Sequence, residues 1–170
     1  MNSANALKFI DENKDSLLKD LQTLIHQPSI SAKNEGIEEC SILVSKTLKK
    51  SGIKSEILRL GKNAAPLVYG EVKSKTNPNT TLLFYNHYDV QPVEPLELWD
   101  DPPFSGKIIG NKIFGRGASD DKGELITRIK AVESYLKTEG DVPCNVKFVI
   151  EGEEENGSEN IGTYLKKYKK

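Results

Sequence analysis

Helical and strand-like segments alternate along this chain, and that alternation limits it to an α/β fold. Leu7, Ile10, Leu17, Leu18, Leu21, Leu24 and Ile25 recur at helical spacing until Pro28 ends the pattern, and Gly36–Lys50 forms a second helical stretch. Beyond Gly52, Ile53–Leu60 alternates in period two, and Leu67–Val72 and Thr81–Tyr85 are short β-rich runs bounded by Pro66 and by the turn sequence Ser74 to Thr80. Lys107–Ile109 and Lys112–Phe114 flank Gly110-Asn111 as a hairpin inside a long stretch rich in Pro and Gly. Leu125, Ile126, Ile129, Val132 and Leu136 then mark a helix over Lys122–Lys137, Asn145–Ile150 reads as a strand, and Ile161, Tyr164, Leu165 and Tyr168 mark a last helix still running at Lys170. The expected architecture is a three-layer α/β sandwich with a largely parallel central sheet. Ligands of open α/β sheets bind beyond the carboxyl ends of the strands. The residues after Tyr85, before Lys122 and after Ile150 are therefore expected on one rim.

Charge narrows what could bind there. The chain has 24 basic and 25 acidic residues, a formal net charge of -1, so no overall field gathers nucleic acid or an anionic membrane. A small, near-neutral partner is favoured. Lys8, Asp11, Glu12 and Lys14 interrupt the N-terminal stretch where a signal peptide needs apolar residues, and no later segment is apolar for long enough to span a bilayer, so a cytosolic location is expected. Cys40 and Cys144 have no companions at ligand spacing and read as buried thiols.

Three clusters stand at the three predicted rim positions. Asn86-His87-Tyr88-Asp89 follows the first of these strands, and in extended chain His87 and Asp89 point the same way. An Asp in that position can accept the second ring N–H of a metal-binding His and fix its tautomer. Ser119-Asp120-Asp121-Lys122-Gly123 leads into a helix, where Ser119 or Asp120 could serve as N-cap, and where a short carboxylate could equally bridge two metal ions about 3.5–4 Å apart. Glu151-Gly152-Glu153-Glu154-Glu155 sets four glutamates within five positions at a strand end. Such crowding is unfavourable unless a cation sits among them; one Glu could bind metal while its neighbour carries protons.

The segments NHYDVQP, WDDPPFSGKIIGNKIFGRGASDDKG and EGEEENGSEN together resemble the signatures of the M20 metallopeptidases, and the opening helix ending in HQPSIS is similar to the start of that family. The wording is closer to the dipeptidase and carnosinase-like branch than to the deacylases of the acetylornithine or succinyl-diaminopimelate type. The resemblance implies His87 as a zinc ligand oriented by Asp89, and Asp120 as the carboxylate bridging two Zn²⁺ ions, with Co²⁺ or Mn²⁺ as substitutes. Anchoring on Gly152 and Gly157-Ser158 implies Glu154 as the acid/base and Glu155 as a ligand; a slip of one residue would name Glu153 and Glu154 instead. The substrate implied is a small peptide or N-acyl amino acid. Family members are far longer, so residues 1–170 are expected to be the N-terminal part of the catalytic domain, without its dimerisation domain and final His ligand. The full-length enzyme is expected to be a homodimer and the fragment alone inactive; the rival reading is a non-catalytic truncated domain. His26, beside Pro28, reads as structural or surface.

Overall fold

The computed structural model describes residues 1–61 and 63–168, so the expectation that the last helix runs on through Lys170 falls outside the described residues. The amphipathic N-terminus is two helices rather than one, α1 (Ser3–Glu12) and α2 (Lys14–His26). Asn13 makes the break: its side-chain amide and its backbone N–H both donate to Phe9 O, ending α1 as α2 begins. Pro28 holds Gln27 extended and stops α2. Helix α3 (Ile37–Lys50) follows Gly36, whose φ of 69° only glycine adopts freely and whose Cβ would lie 2.1 Å from Pro28 O.

Strands β1 (Lys54–Leu58), β2 (Leu67–Val72), β3 (Thr81–His87) and β6 (Asn145–Glu151) form a sheet in the order β1-β2-β6-β3. Between β3 and β6 lie the hairpin of β4 (Lys107–Ile109) and β5 (Lys112–Phe114) and the helix α4 (Lys122–Glu139). The α/β class is as expected, but the sheet is not largely parallel: β1 with β2 and β2 with β6 pair antiparallel, and only β3 with β6 runs parallel among the described strands. The physical reason lies in the connections. A return without a helix, as from β1 to β2, permits an antiparallel neighbour, whereas α4 carries the chain back across the sheet and makes β6 parallel to β3.

The helices α1 to α4 gather on one face of the sheet. Val146, Phe148 and Ile150 of β6 and Val68 of β2 are buried there with Val44 and Leu48 of α3 and Leu125, Ile129 and Val132 of α4. On the opposite face Leu83 and Tyr85 are exposed and Lys147 and Val149 half-buried, so α1 to α4 cover one face of the sheet only. Lys130 of α4, buried, bonds Asp20 of α2 at 2.6 Å and Glu133 at 2.6 Å, and Glu133 accepts from Ser51 beyond α3, joining three helices at one point. Helix α5 (Ile161–Tyr168) docks through Tyr164, whose hydroxyl donates to Ala65 O at 2.9 Å. No helix of the described residues is long and apolar enough to cross a membrane.

Phe148 is fully buried at the centre of this core, its ring 5.2 Å from that of Phe84. Phe148→Ala is expected to cost about 3–5 kcal/mol in urea denaturation, from lost burial and the cavity left behind. A loss under about 1 kcal/mol would place the core elsewhere.

Candidate active site

The parallel pairing sets His87 directly opposite Glu151 where β3 and β6 end. Just past that point the chain is pinned by the Ser29–Ile30 segment: Ser29 Oγ donates to Tyr88 O at 2.7 Å, Val90 N donates to Ser29 O at 2.8 Å, and Ile30 bridges Val90. The Tyr88 ring is buried and its hydroxyl donates to Pro66 O at 2.7 Å. It leaves room for glycine alone at position 152, where a Cβ would stand 2.3 Å from the Tyr88 ring. That contact explains why the acidic loop begins Glu-Gly.

His87 Nε2 faces Asp120 Oδ1 at 3.0 Å and Glu154 Oε2 at 3.9 Å, and its Nδ1 faces Asp89 O at 3.1 Å and Asp89 Oδ1 at 3.4 Å. Asp89 is wholly buried, and its two carboxylate oxygens also accept the backbone N–H of Glu154 at 3.2 Å and of Glu155 at 3.0 Å. One carboxylate thus orients the imidazole and holds the acidic loop. Glu153 turns away, accepting from Ala65 N and from Asn160. The Glu155 carboxylate accepts from Gln91 Nε2 at 2.8 Å. The site therefore brings together His87, Asp89, Asp120 and Glu154, while Glu155 points to Gln91. Among the described residues no group of three or more His, Cys, Asp or Glu stands in metal-holding geometry.

Neither Ser119 nor Asp120 caps α4. The cap position is Asp121, which makes no capping bond; its buried carboxylate accepts instead from Asn86 Nδ2 at 2.7 Å and from His87 N at 3.0 Å. Lys122 is also wholly buried, and its ammonium donates to Leu24 O at 3.1 Å and Gln27 O at 2.6 Å, carbonyls at the end of α2. Asp121, Lys122 and Glu151 also belong to the site, although no sequence motif singled them out. Their signal was present only as an acid or a lysine beside a candidate ligand, which does not tell a buried partner from a solvated one.

Burial pushes the His87 pKa down, but the hydrogen bond and charge of Asp89, the charge of Asp121 and the hydrogen bond of Asp120 outweigh it and hold the imidazole up at about 9. Burial likewise raises Asp121 and Glu151 above the ordinary carboxylate range, against the hydrogen bonds each accepts. The residue types at Nε2, an imidazole and two carboxylates in a field that favours positive charge, are ones a divalent cation accepts as ligands, but among the described residues they are not spaced as a three-ligand site.

A model of the family described as Peptidase family M20/M25/M40 matches residues 83–169. The chain belongs to that family. Across 168 residues it is 35% identical to the Cys-Gly metallodipeptidase dug1 of Schizosaccharomyces pombe, which covers 91% of this chain and 35% of that protein. It superposes on the crystal structure of human carnosine dipeptidase 1 with a TM-score of 0.88 at 28% identity, covering 98% of this chain and 38% of that one. It also superposes on the M20 family metallo-carboxypeptidase Sso-CP2 of Sulfolobus solfataricus with a TM-score of 0.82 at 40% identity, covering 89% of this chain and 34% of that one. The chain thus spans about a third of the length of these relatives. The M20 likeness read from the three motifs is confirmed by all of these matches.

Because His87 titrates higher folded than its ordinary 6.5, its contribution to the stability of the metal-free chain is complete below about pH 6.5 and is lost as pH rises through about 9. The metal-free chain should therefore lose on the order of 1–3 kcal/mol from this group between pH 6 and pH 10. Urea midpoints at the two pH values, compared with those of His87→Gln, measure it; an equal pH dependence in both would remove His87 as the cause.

Proposed function

We propose that this chain is the N-terminal part of the catalytic domain of a di-zinc hydrolase that cleaves the amide bond of dipeptides or related N-acyl amino acids. The observation that carries this reading is the convergence of Asp120 Oδ1 and Glu154 Oε2 on His87 Nε2, at 3.0 and 3.9 Å, on the rim where β3 and β6 end. The substrate class is supported by the relatives, two of which are named as dipeptidases.

His87 and Asp120 would hold one ion, and Asp120 would share the other with Glu155, whose carboxylate would have to leave Gln91 to reach it. Zinc bound there supplies polarisation of the scissile carbonyl and acidification of a water molecule. Asp89, accepting from His87 Nδ1, would keep Nε2 turned toward the ion, which would take the place of the Nε2 proton on binding. Glu154 Oε2 takes the proton of the attacking water as the new C–O bond forms, and returns it to the amine nitrogen as the C–N bond breaks. The amides of Glu154 and Glu155, fixed on Asp89, keep that proton acceptor within reach. These residues would give each ion at most two protein ligands, where zinc takes three or four, so the 170-residue chain by itself should bind zinc weakly and turn over no dipeptide.

The test is made on a longer form of the protein that hydrolyses dipeptides. Glu154→Gln should keep its zinc and lower kcat by about 10²–10⁴, the usual worth of a general acid–base. Glu155→Gln should lose zinc as well. The reverse pattern would shift the assignment by one residue, and activity on N-acyl amino acids without activity on dipeptides would make the enzyme a deacylase.

A further inference from the structure

Glu151 is 4% exposed and has no part in the reaction described above. Its Oε1 accepts two hydroxyl hydrogen bonds, one from Tyr85 and one from Ser158 at 3.0 Å. Tyr85 stands two residues before His87 on the same face of β3, and Arg128 Nη1 donates to its carbonyl at 2.7 Å. Ser158 lies at the far end of the acidic loop, at a φ of 53° rarely taken by residues other than glycine. Ser158 N donates to Glu153 O at 2.8 Å and Gly157 N to Glu154 O at 3.0 Å, so Ser158 and the Glu153–Asn156 turn move as one unit.

The Glu151 carboxylate therefore closes a ring. The chain leaves β6 at Glu151, runs through Glu153, Glu154 and Glu155, and returns at Ser158 to the side chain from which it started. Asp89 holds the near side of this loop through the amides of Glu154 and Glu155, Glu153 ties it to Ala65 and Asn160, and Glu151 fixes its exit to the strand beside His87. We infer that Glu151 is a positioning residue, whose doubly hydrogen-bonded carboxylate fixes where Glu154 stands relative to His87. The inference rests on the reading of Glu154 as the proton acceptor; the loop geometry does not.

Amide hydrogen exchange in the 170-residue chain reads the clamp without any turnover. Glu151→Ala should speed exchange at Glu154, Glu155 and Ser158 about tenfold or more while Leu125–Val132 of α4 stay within about twofold. Glu151→Gln keeps a carbonyl oxygen with two lone pairs for the same two hydroxyls, and its loop amides should stay within about threefold of the parent. In a longer, active form, Glu151→Ala should lower kcat about 10–100-fold with KM within about threefold and zinc content unchanged, and Glu151→Gln should restore most of kcat. Unchanged loop exchange in Glu151→Ala overturns the inference, and so does a Gln variant as damaged as the Ala variant, which would make charge and not geometry the cause. Should Glu151→Ala fail to fold, Tyr85→Phe and Ser158→Ala each remove one donor; faster exchange confined to the loop supports the clamp, and no change in either variant overturns it. Loop exchange that responds as expected while Glu154→Gln keeps full activity leaves the clamp standing and removes the role given to Glu154.

Discussion

The parallel pairing of β3 with β6 is the constraint on which the site depends. In a parallel ladder both strands end at the same edge, so the residue after one strand meets the residue after the other without any long loop between them. Here that edge brings His87 opposite Glu151, and the acidic loop follows within three residues. The crossover helix α4 makes the pairing parallel, and the residues leading into it, Asp120 and Asp121, reach the same edge. A single topological choice thus assembles three segments that are 33 and 34 residues apart along the chain, the distances from His87 to Asp120 and from Asp120 to Glu154.

Much of this was readable in the sequence because strand ends and helix starts carry sharp local signals. The β4–β5 hairpin, the start of α4 and both rim strands lie where periodicity and turn residues put them. What was not readable is what depends on partners distant in sequence. The break at Asn13 falls inside a continuous apolar stripe, and a short polar side chain competing for Phe9 O decides it. Strand direction was misjudged for β2, because nothing in its composition shows that it is separated from β3 by an inserted β6. Nothing local marks Asp121 and Lys122, yet burial makes one a tether for Asn86 and His87 and the other a link to the end of α2.

The glutamate run shows how hydrogen bonding separates residues that composition leaves alike. Glu153, Glu154 and Glu155 are consecutive, and nothing local distinguishes their side chains. The amides of Glu154 and Glu155 are both bound to the buried Asp89, which fixes the backbone of that pair at the rim. Glu153 precedes them in the turn, and its carboxylate is spent on Ala65 N and Asn160, on the side away from His87. The glutamate excluded by the proposed register, which anchors on Gly152 and Gly157-Ser158, is Glu153, and of the remaining pair Glu155 is bonded to Gln91.

Electrostatics supplies the reason such a crowded rim can be built in a folded chain. Asp89, Asp121 and Glu151 are buried within one small volume, and burying like charges together is unfavourable unless each is bound by donors. Each is so bound: Asp89 by two amides and His87, Asp121 by Asn86 and His87 N, Glu151 by two hydroxyls. Apart from His87 these donors are neutral and satisfy the oxygens without cancelling their charge, so negative charge remains beside His87. Burial lowers the His87 pKa, but Asp89, Asp121 and Asp120 outweigh it and raise the pKa to about 9. A divalent cation and the proton on Nε2 compete for the same nitrogen, and the same carboxylates that hold the proton would hold the metal more strongly because its charge is greater. On the proposed reading the hydrogen-bonded acids therefore do more than orient His87: they would make the rim a place where a cation replaces a proton.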